Sequence, residues 1–541
     1  MGIPSYFSHI IKSYPQIIKK YNYYVQNNVD FHSLYMDCNS IIYDIVNAMD
    51  EETRNDPDIE NIIIDLTLAK ILEYVLFIKP SNRVYIAFDG VAPFAKMNQQ
   101  KTRRYKSQFM EVFLNGQPTN KWNTSNITPG TQFMKNLSIK LNEYFSDKGV
   151  QNKTKVKEWI ISASDESGEG EHKLFQYIRK HPCKDENIIV YGLDSDLIML
   201  SIFHYHLYNN CYIFREAPEF LKSTINIIGN SNNSNNSDNN FIMDIGLLRS
   251  SILSEMKFNE EQRIYDYVFL CFLLGNDFLP HFPALNIRTH GIVTLLEIYS
   301  TVFRKNPEKF LTKGNNSDKP KIEWKNVKLY MKELVKYEQQ YIIEEYSCRE
   351  KFDHWKWNDE INEKTTKEQR DKILQNLPII YRKEEKYISP SDNGWEDRYY
   401  KSLFHNSNHD IKQQICTNYL EGLEWVYMYY SGKGFDWRWS YEYSYPPLIK
   451  DLYMYIPNNN EVKFINQKRD FYTQHLQLAY VLPKSQSKLL PNHILEIINE
   501  KYPQLYSEEP YDFQWAFCRY FWESHVCFSG INMDLLEKNI C

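Results

Sequence analysis

No two of the nine cysteines have CxxC or zinc-finger spacing, and their number is odd. That argues against a disulfide framework and leads us to expect reduced thiols in an intracellular compartment, the cytoplasm before the nucleus. A secretory signal is missing from the N-terminus, and so is any run of about 18 apolar residues, so no membrane partner is expected. Positive charge is not in excess: 63 Lys and Arg against 69 Asp and Glu leave a net charge of −6. A protein that coats nucleic acid with a basic surface is thereby excluded, and any grip on nucleic acid must come from local charge. Met1-Gly2 lacks the Ser or Thr that myristoylation wants at the sixth position, which is Tyr6. There is no internal repeat.

What is abundant is the aromatic ring, at 15% of residues, with 42 Tyr and 11 Trp among 541. An AT-rich coding sequence pushes usage toward Tyr, Asn, Ile and Lys; the sharper reading is that some rings stack on bases. The length suits one elaborated domain or two to three domains.

Several short apolar runs end in an acid: Ser33-Leu34-Tyr35-Met36-Asp37, then Arg83 through Phe88-Asp89-Gly90, then Asn187 through Gly192-Leu193-Asp194. Their length and β-branched or aromatic content predict buried strands, with helical patterns such as residues 61–78 between them. This alternation predicts an α/β fold with a mostly parallel sheet, whose ligands sit beyond the carboxyl ends of strands, where these acids fall. Residues 226–240, rich in Asn and Ser, read as a disordered insertion. The polar stretch 312–321 suits a boundary between domains at 1–311 and 322–541, the second helix-rich. Residues 344–386 are dense in mixed charge and read as solvated helix.

Seven acids stand out: Asp37, Asp89, Glu169, Glu171, Asp194, Asp196 and Asp277. Asp194 and Asp196, two apart, share a side if the backbone there is extended. Glu169 and Glu171 lie in Gly168-Glu169-Gly170-Glu171-His172-Lys173, where glycines loosen the chain ahead of a helix. Singly, each acid is explained as a turn former or helix cap. Gathered together they would repel one another unless cations neutralise them. Oxygen-only ligands suit Mg²⁺, with Mn²⁺ able to substitute, and two such ions can drive phosphodiester cleavage.

After Asp89, Lys96 through Lys106 carries five basic residues and no acid. In a helix, Lys96, Gln100, Arg103 and Arg104 share one face, offering donors matched to phosphate oxygens. A solvated basic face is the bland reading. The nearness of Asp89 in sequence favours a phosphate pocket.

These motifs resemble the Xrn family of 5′→3′ exoribonucleases. Met1-Gly2-Ile3-Pro4 is similar to the family's opening. So are Asp89-Gly90-Val91-Ala92-Pro93 running into Lys96-Met97-Asn98-Gln99-Gln100, and Ile127-Thr128-Pro129-Gly130-Thr131. Gly168–Lys173, Tyr191-Gly192-Leu193-Asp194-Ser195-Asp196-Leu197 and Gly275-Asn276-Asp277-Phe278-Leu279-Pro280 are close to its signatures. Gly394-Trp395, Arg398-Tyr399-Tyr400-Lys401, Tyr419 through Trp425 and Leu478 through Pro483 extend the likeness over nearly the whole chain.

The resemblance implies a PIN-like nuclease core related to flap endonucleases, a second conserved region around it, and two Mg²⁺ held by the seven acids. It also implies a 5′-phosphate pocket at Lys96, Gln100, Arg103 and Arg104. Base stacking falls to Tyr43, where the family has histidine, and to Trp437 or Trp439, with Trp439 favoured. The implied substrate is single-stranded RNA with a 5′-monophosphate, digested processively by a monomer, with a decapping enzyme acting upstream. Phe94 stands where family members often have Arg, Lys101 replaces another Arg, and Ser167 replaces a Pro. The chain is compact for the family, which together with the Asn-rich stretch suits an AT-rich genome, that of a large DNA virus or a protist. A 5′ nuclease acting on DNA and a silent RNA-binding scaffold are the alternatives; the second half argues against the first, the intact set of acids against the second.

Overall fold

In a computed structural model the described residues are 2–115, 122–216, 240–315, 319–353, 365–366, 369–370, 373–374, 376–506, 512–528 and 530–540. The Asn-rich stretch at 226–240 lies outside them except for Asn240, as does much of 344–386. The chain folds as two compact units that interleave along the sequence. The first comprises Met1–Ala92, Lys121–Val268 and Tyr430–Gly432, and the second Pro93–Asn120, Phe269–Tyr429 and Lys433–Cys541.

The first unit is built on a seven-stranded sheet. Its strands are β1 (Ile18–Lys20), β2 (Ser33–Asp37), β3 (Arg83–Ala87), β4 (Glu158–Ser162), β5 (Cys183–Tyr191), β6 (Tyr208–Glu216) and β7 (Asn240–Asp244). The order is β1-β7-β6-β5-β2-β3-β4. The pairs β6·β5, β5·β2, β2·β3 and β3·β4 are parallel, and β7 runs antiparallel to both β6 and β1. The expected mostly parallel α/β architecture is what forms, consistent with a PIN-like core. All five residues of β2 are buried, as a central parallel strand covered on both faces requires. The helix Ile59–Ile78 supplies one cover: Ile63, Ile64, Leu68, Ile71, Leu72 and Val75 join Leu34, Met36, Val84 and Ile86 in one apolar cluster. Fully burying each such aliphatic side chain contributes about 1.5–3 kcal/mol, enough for the cluster to fix the sheet's register.

The second unit is mainly helical, with Phe94–Asn115, Gly291–Phe303, Trp324–Leu334, Glu338–Asp353, Trp395–Phe404, Gln474–Val481 and Asn492–Lys501 among its helices. Two two-residue ribbons, Thr312–Lys313 with Lys321–Ile322 and Phe513–Gln514 with His525–Val526, complete it. No helix among the described residues is long and apolar enough to cross a membrane. All eight described cysteines are free thiols.

Candidate functional site

Parallel strands deliver the first acids. Asp37 is the last residue of β2, and Asp89 follows β3 by two. Asn39 grips Asp89 from both sides: its Nδ2 donates to Oδ2 at 2.7 Å, and its Oδ1 accepts from the Asp89 N–H at 3.0 Å. The Gly170 N–H donates to Asp89 Oδ1 at 2.7 Å. Gly168 and the Asp89 segment exchange backbone bonds, Gly90 N–H to Gly168 O and Gly168 N–H to Val91 O, both 2.8 Å. Gly168 has φ +110, which a side chain rarely adopts. A Cβ on Gly170 would lie 2.4 Å from Asp37 Oδ1, so only glycine lets the helix Gly170–Lys180 begin this close to the carboxylates.

Oxygens of Asp37, Asp89 and Glu171 all lie within 4.8 Å of one another, as do ligand atoms of Glu169, Glu171 and His172. His172 was not singled out from the sequence; its only signal was its place directly after the second Glu. Burial pushes the Asp37 carboxyl well above its ordinary range, and the charges of Asp89 and Asp194 push it further. Asp37 Oδ1 is buried and accepts no hydrogen bond. A buried acceptor without a donor, among other carboxylates, fits a hard divalent cation.

Glu169 and Asp194 occupy helix N-caps, yet neither side chain bonds to its helix's N–H groups, so capping does not account for them. The period-two argument for Asp194 and Asp196 does not hold. Asp194 is extended (φ −77, ψ 142), but Asp196 is already in the first turn of the helix Ser195–Phe203. Asp196 is oriented instead by Tyr430, whose hydroxyl donates to Oδ1 at 2.5 Å. Nothing in the sequence linked Tyr430 to this site, since the contact spans 234 residues. Lys173 ties the strand ends together, donating to Phe88 O at 2.8 Å and Ala163 O at 2.7 Å; burial lowers its ammonium to about 8 against the pull of Asp89.

Lys96, Gln100, Arg103, Arg104 and Asp277 belong to the second unit, where the helix Phe94–Asn115 carries the basic face. Lys96 Nζ donates to Asp277 Oδ2 at 2.7 Å. Burial raises the Asp277 carboxyl, but positive charge, that of Lys96 foremost, outweighs it and holds the group below its ordinary range. Gln100 is 7% exposed and accepts from Gln477 Nε2 at 3.2 Å. Arg103 is exposed and Arg104 half-buried. The two departures on this helix are both packed among rings. Phe94 lies 5.4 Å from Tyr480 and 5.9 Å from Tyr472, and the Lys101 ammonium sits 4.2 Å from the Tyr480 centroid and 4.6 Å from that of Phe528.

In the first unit Tyr43 is half-buried against the apolar cluster. In the second, Trp439 is 7% exposed, stacked on Trp425 at 5.2 Å, and Trp437 is half-buried, edge-on to Phe471 at 5.5 Å.

Comparison with known proteins identifies the family. Residues 1–217 match the family model described as the XRN 5′-3′ exonuclease N-terminus, and residues 257–387 and 383–527 match the Xrn1 helical domain. Among similar curated proteins is the 5′-3′ exoribonuclease 1 of Schizosaccharomyces pombe, 27% identical over 91% of this chain and 44% of that protein. The 5′-3′ exoribonuclease 2 of Arabidopsis thaliana is 25% identical over 95% of this chain and 64% of its own length. Human 5′-3′ exoribonuclease 1 is 26% identical over 95% and 32%. The chain thus spans roughly a third to two thirds of the length of these relatives. With family models covering the strand-end acids and the helical unit alike, the chain belongs to the Xrn family of 5′→3′ exonucleases.

Proposed function

We propose that this protein is a 5′→3′ exoribonuclease that degrades single-stranded RNA from a 5′-monophosphate end and releases nucleoside 5′-monophosphates. The observation that carries this reading is the cluster of buried Asp37 and Glu171 with half-buried Asp89, with Asp37 Oδ1 lacking any donor, in a chain of this family. Asp37, Asp89, Glu169, Glu171, Asp194 and Asp196 would hold Mg²⁺, with Mn²⁺ as a substitute; Asp277 is assigned the same role by the family resemblance. Two divalent ions would activate a water and stabilise the leaving oxygen of the phosphodiester. Asn39 and the Gly170 N–H orient Asp89, Lys173 holds the backbone at Phe88 next to it, and Tyr430 orients Asp196.

Lys96, Gln100, Arg103 and Arg104 would receive the 5′-phosphate as a donor-only pocket, leaving little room for a triphosphate or cap. A decapping enzyme acting upstream would supply such ends to a cytoplasmic monomer. The test is a 5′-monophosphorylated RNA, labelled at each end in turn and incubated with Mg²⁺, beside a DNA of the same sequence. Mononucleotides from the 5′ label at the earliest times, with RNA much preferred, are expected. Internal fragments, or equal cleavage of DNA, would replace this reading with that of a flap-type DNA nuclease.

A further inference from the structure

We propose that Gln477 is a positioning residue that sets which end of the Gln100 amide faces the substrate, and thereby makes the pocket selective for a phosphate. The inference rests on the pocket reading given above. A primary amide carries an acceptor at one end and two donors at the other, so its direction decides whether it attracts or repels an anion. Gln477 is fully buried and donates its Nε2 to Gln100 Oε1 at 3.2 Å. The oxygen end of Gln100 is thereby engaged, and its two N–H groups are left as the end to present.

Its helical neighbours Lys96, Arg103 and Arg104 can only donate. With the amide held this way all four residues offer donors; turned round, Gln100 would set lone pairs against phosphate oxygens. Gln477 does not depend on Gln100 for its own place. Its helix, Gln474–Val481, starts at a Thr473 cap whose side chain accepts from Leu476 N–H at 3.3 Å. The same helix is pinned to the basic helix by the Tyr480 hydroxyl, which donates to Asn98 Oδ1 at 2.6 Å.

Gln477→Glu tests this, because a carboxylate accepts only. Gln100 must then donate to it and turn its oxygen toward the substrate. The quantity measured is the ratio of kcat/KM for the same RNA bearing a 5′-phosphate or a 5′-hydroxyl. The ratio should fall about tenfold or more, the scale of one hydrogen bond to a charged group, with the loss carried by KM for the phosphorylated RNA. Gln477→Met, which brings no charge into the core, should lower the ratio by less. In a Gln100→Met background Gln477→Glu should lower it no further. Retention of the parent's ratio in both single variants, or an equal additional loss in the Gln100→Met background, overturns the inference while leaving the pocket intact. A parent that shows no preference for the phosphate overturns the pocket reading itself, and this inference with it.

Discussion

The ammonium of Lys96 lies 2.7 Å from Oδ2 of Asp277, and the two side chains are only 10% and 5% exposed. One residue was expected to face a phosphate and the other a metal ion, yet each is the other's counter-ion. Removing one partner strands a buried charge, which typically costs about 3–5 kcal/mol, whereas replacing both with apolar groups costs far less. Lys96→Met and Asp277→Asn should each lower the urea midpoint, and the double variant should recover much of the loss. Additive losses in the double-mutant cycle would show that the pair is not coupled in solution.

Activity should vanish with EDTA and return with Mg²⁺ or Mn²⁺, because carboxylates gathered around Asp37 repel one another unless cations neutralise them, and such ions would carry the chemistry. Asp194→Ala or Asp196→Ala should abolish cleavage while RNA binding largely persists. The same ions should raise the melting temperature of the parent, since they bind the folded chain alone. Asp37→Asn should shrink that rise. Turnover retained in Asp194→Ala or Asp196→Ala would remove the metal role of this pair.

Lys101 supplies a pH signature of the second unit. Burial lowers its ammonium to about 7, while the ring faces of Tyr480 and Phe528 favour the charged form. An unfolded lysine titrates near about 10.4, so between about 7 and 10.4 the unfolded chain binds the extra proton. Stability therefore rises with pH across that window, by up to about 1.4 kcal/mol per unit, and is flat with respect to this group below it. Lys101→Met removes the slope. Denaturation at pH 6, 8 and 9.5 should show the parent gaining on the variant as pH rises. A constant difference would mean that the rings keep the proton on Lys101.

The rings proposed to stack on bases separate by their burial. Tyr43→Ala should shorten processive runs and give laddered intermediates, while Tyr43→Phe or Tyr43→His should be mild because the ring remains; each base stack is worth ~1–3 kcal/mol. Trp439→Ala should do the same and also destabilise the fold by about 3–5 kcal/mol, since Trp439 is buried against Trp425. Trp437→Ala, at the more exposed ring, decides between the two tryptophans. Product lengths with RNA in excess are the measurement. Unchanged lengths in Tyr43→Ala would leave Tyr43 as a core residue only.

Local pattern alone determined the parallel strands and where the acids fall on them. Ser33–Asp37 reads as a buried strand because four apolar or small residues in extended backbone demand cover on both faces, and the acid, Asp37, comes last, at the open end. The basic helix was equally plain in 96–106, because helical spacing puts Lys96, Gln100, Arg103 and Arg104 on one face. Tertiary structure alone decided what those groups touch. The bond from Tyr430 to Asp196 spans 234 residues, and those from Lys96 to Asp277 and from Gln477 to Gln100 span 181 and 377. No local spacing encodes such contacts. Even the two-residue argument for Asp194 and Asp196 fails, because the chain enters a helix between them and the period of a strand ceases there. The difference is physical: backbone sterics and apolar periodicity act within a few residues, while the partner of a buried charge is whichever group the packed core brings within 3 Å.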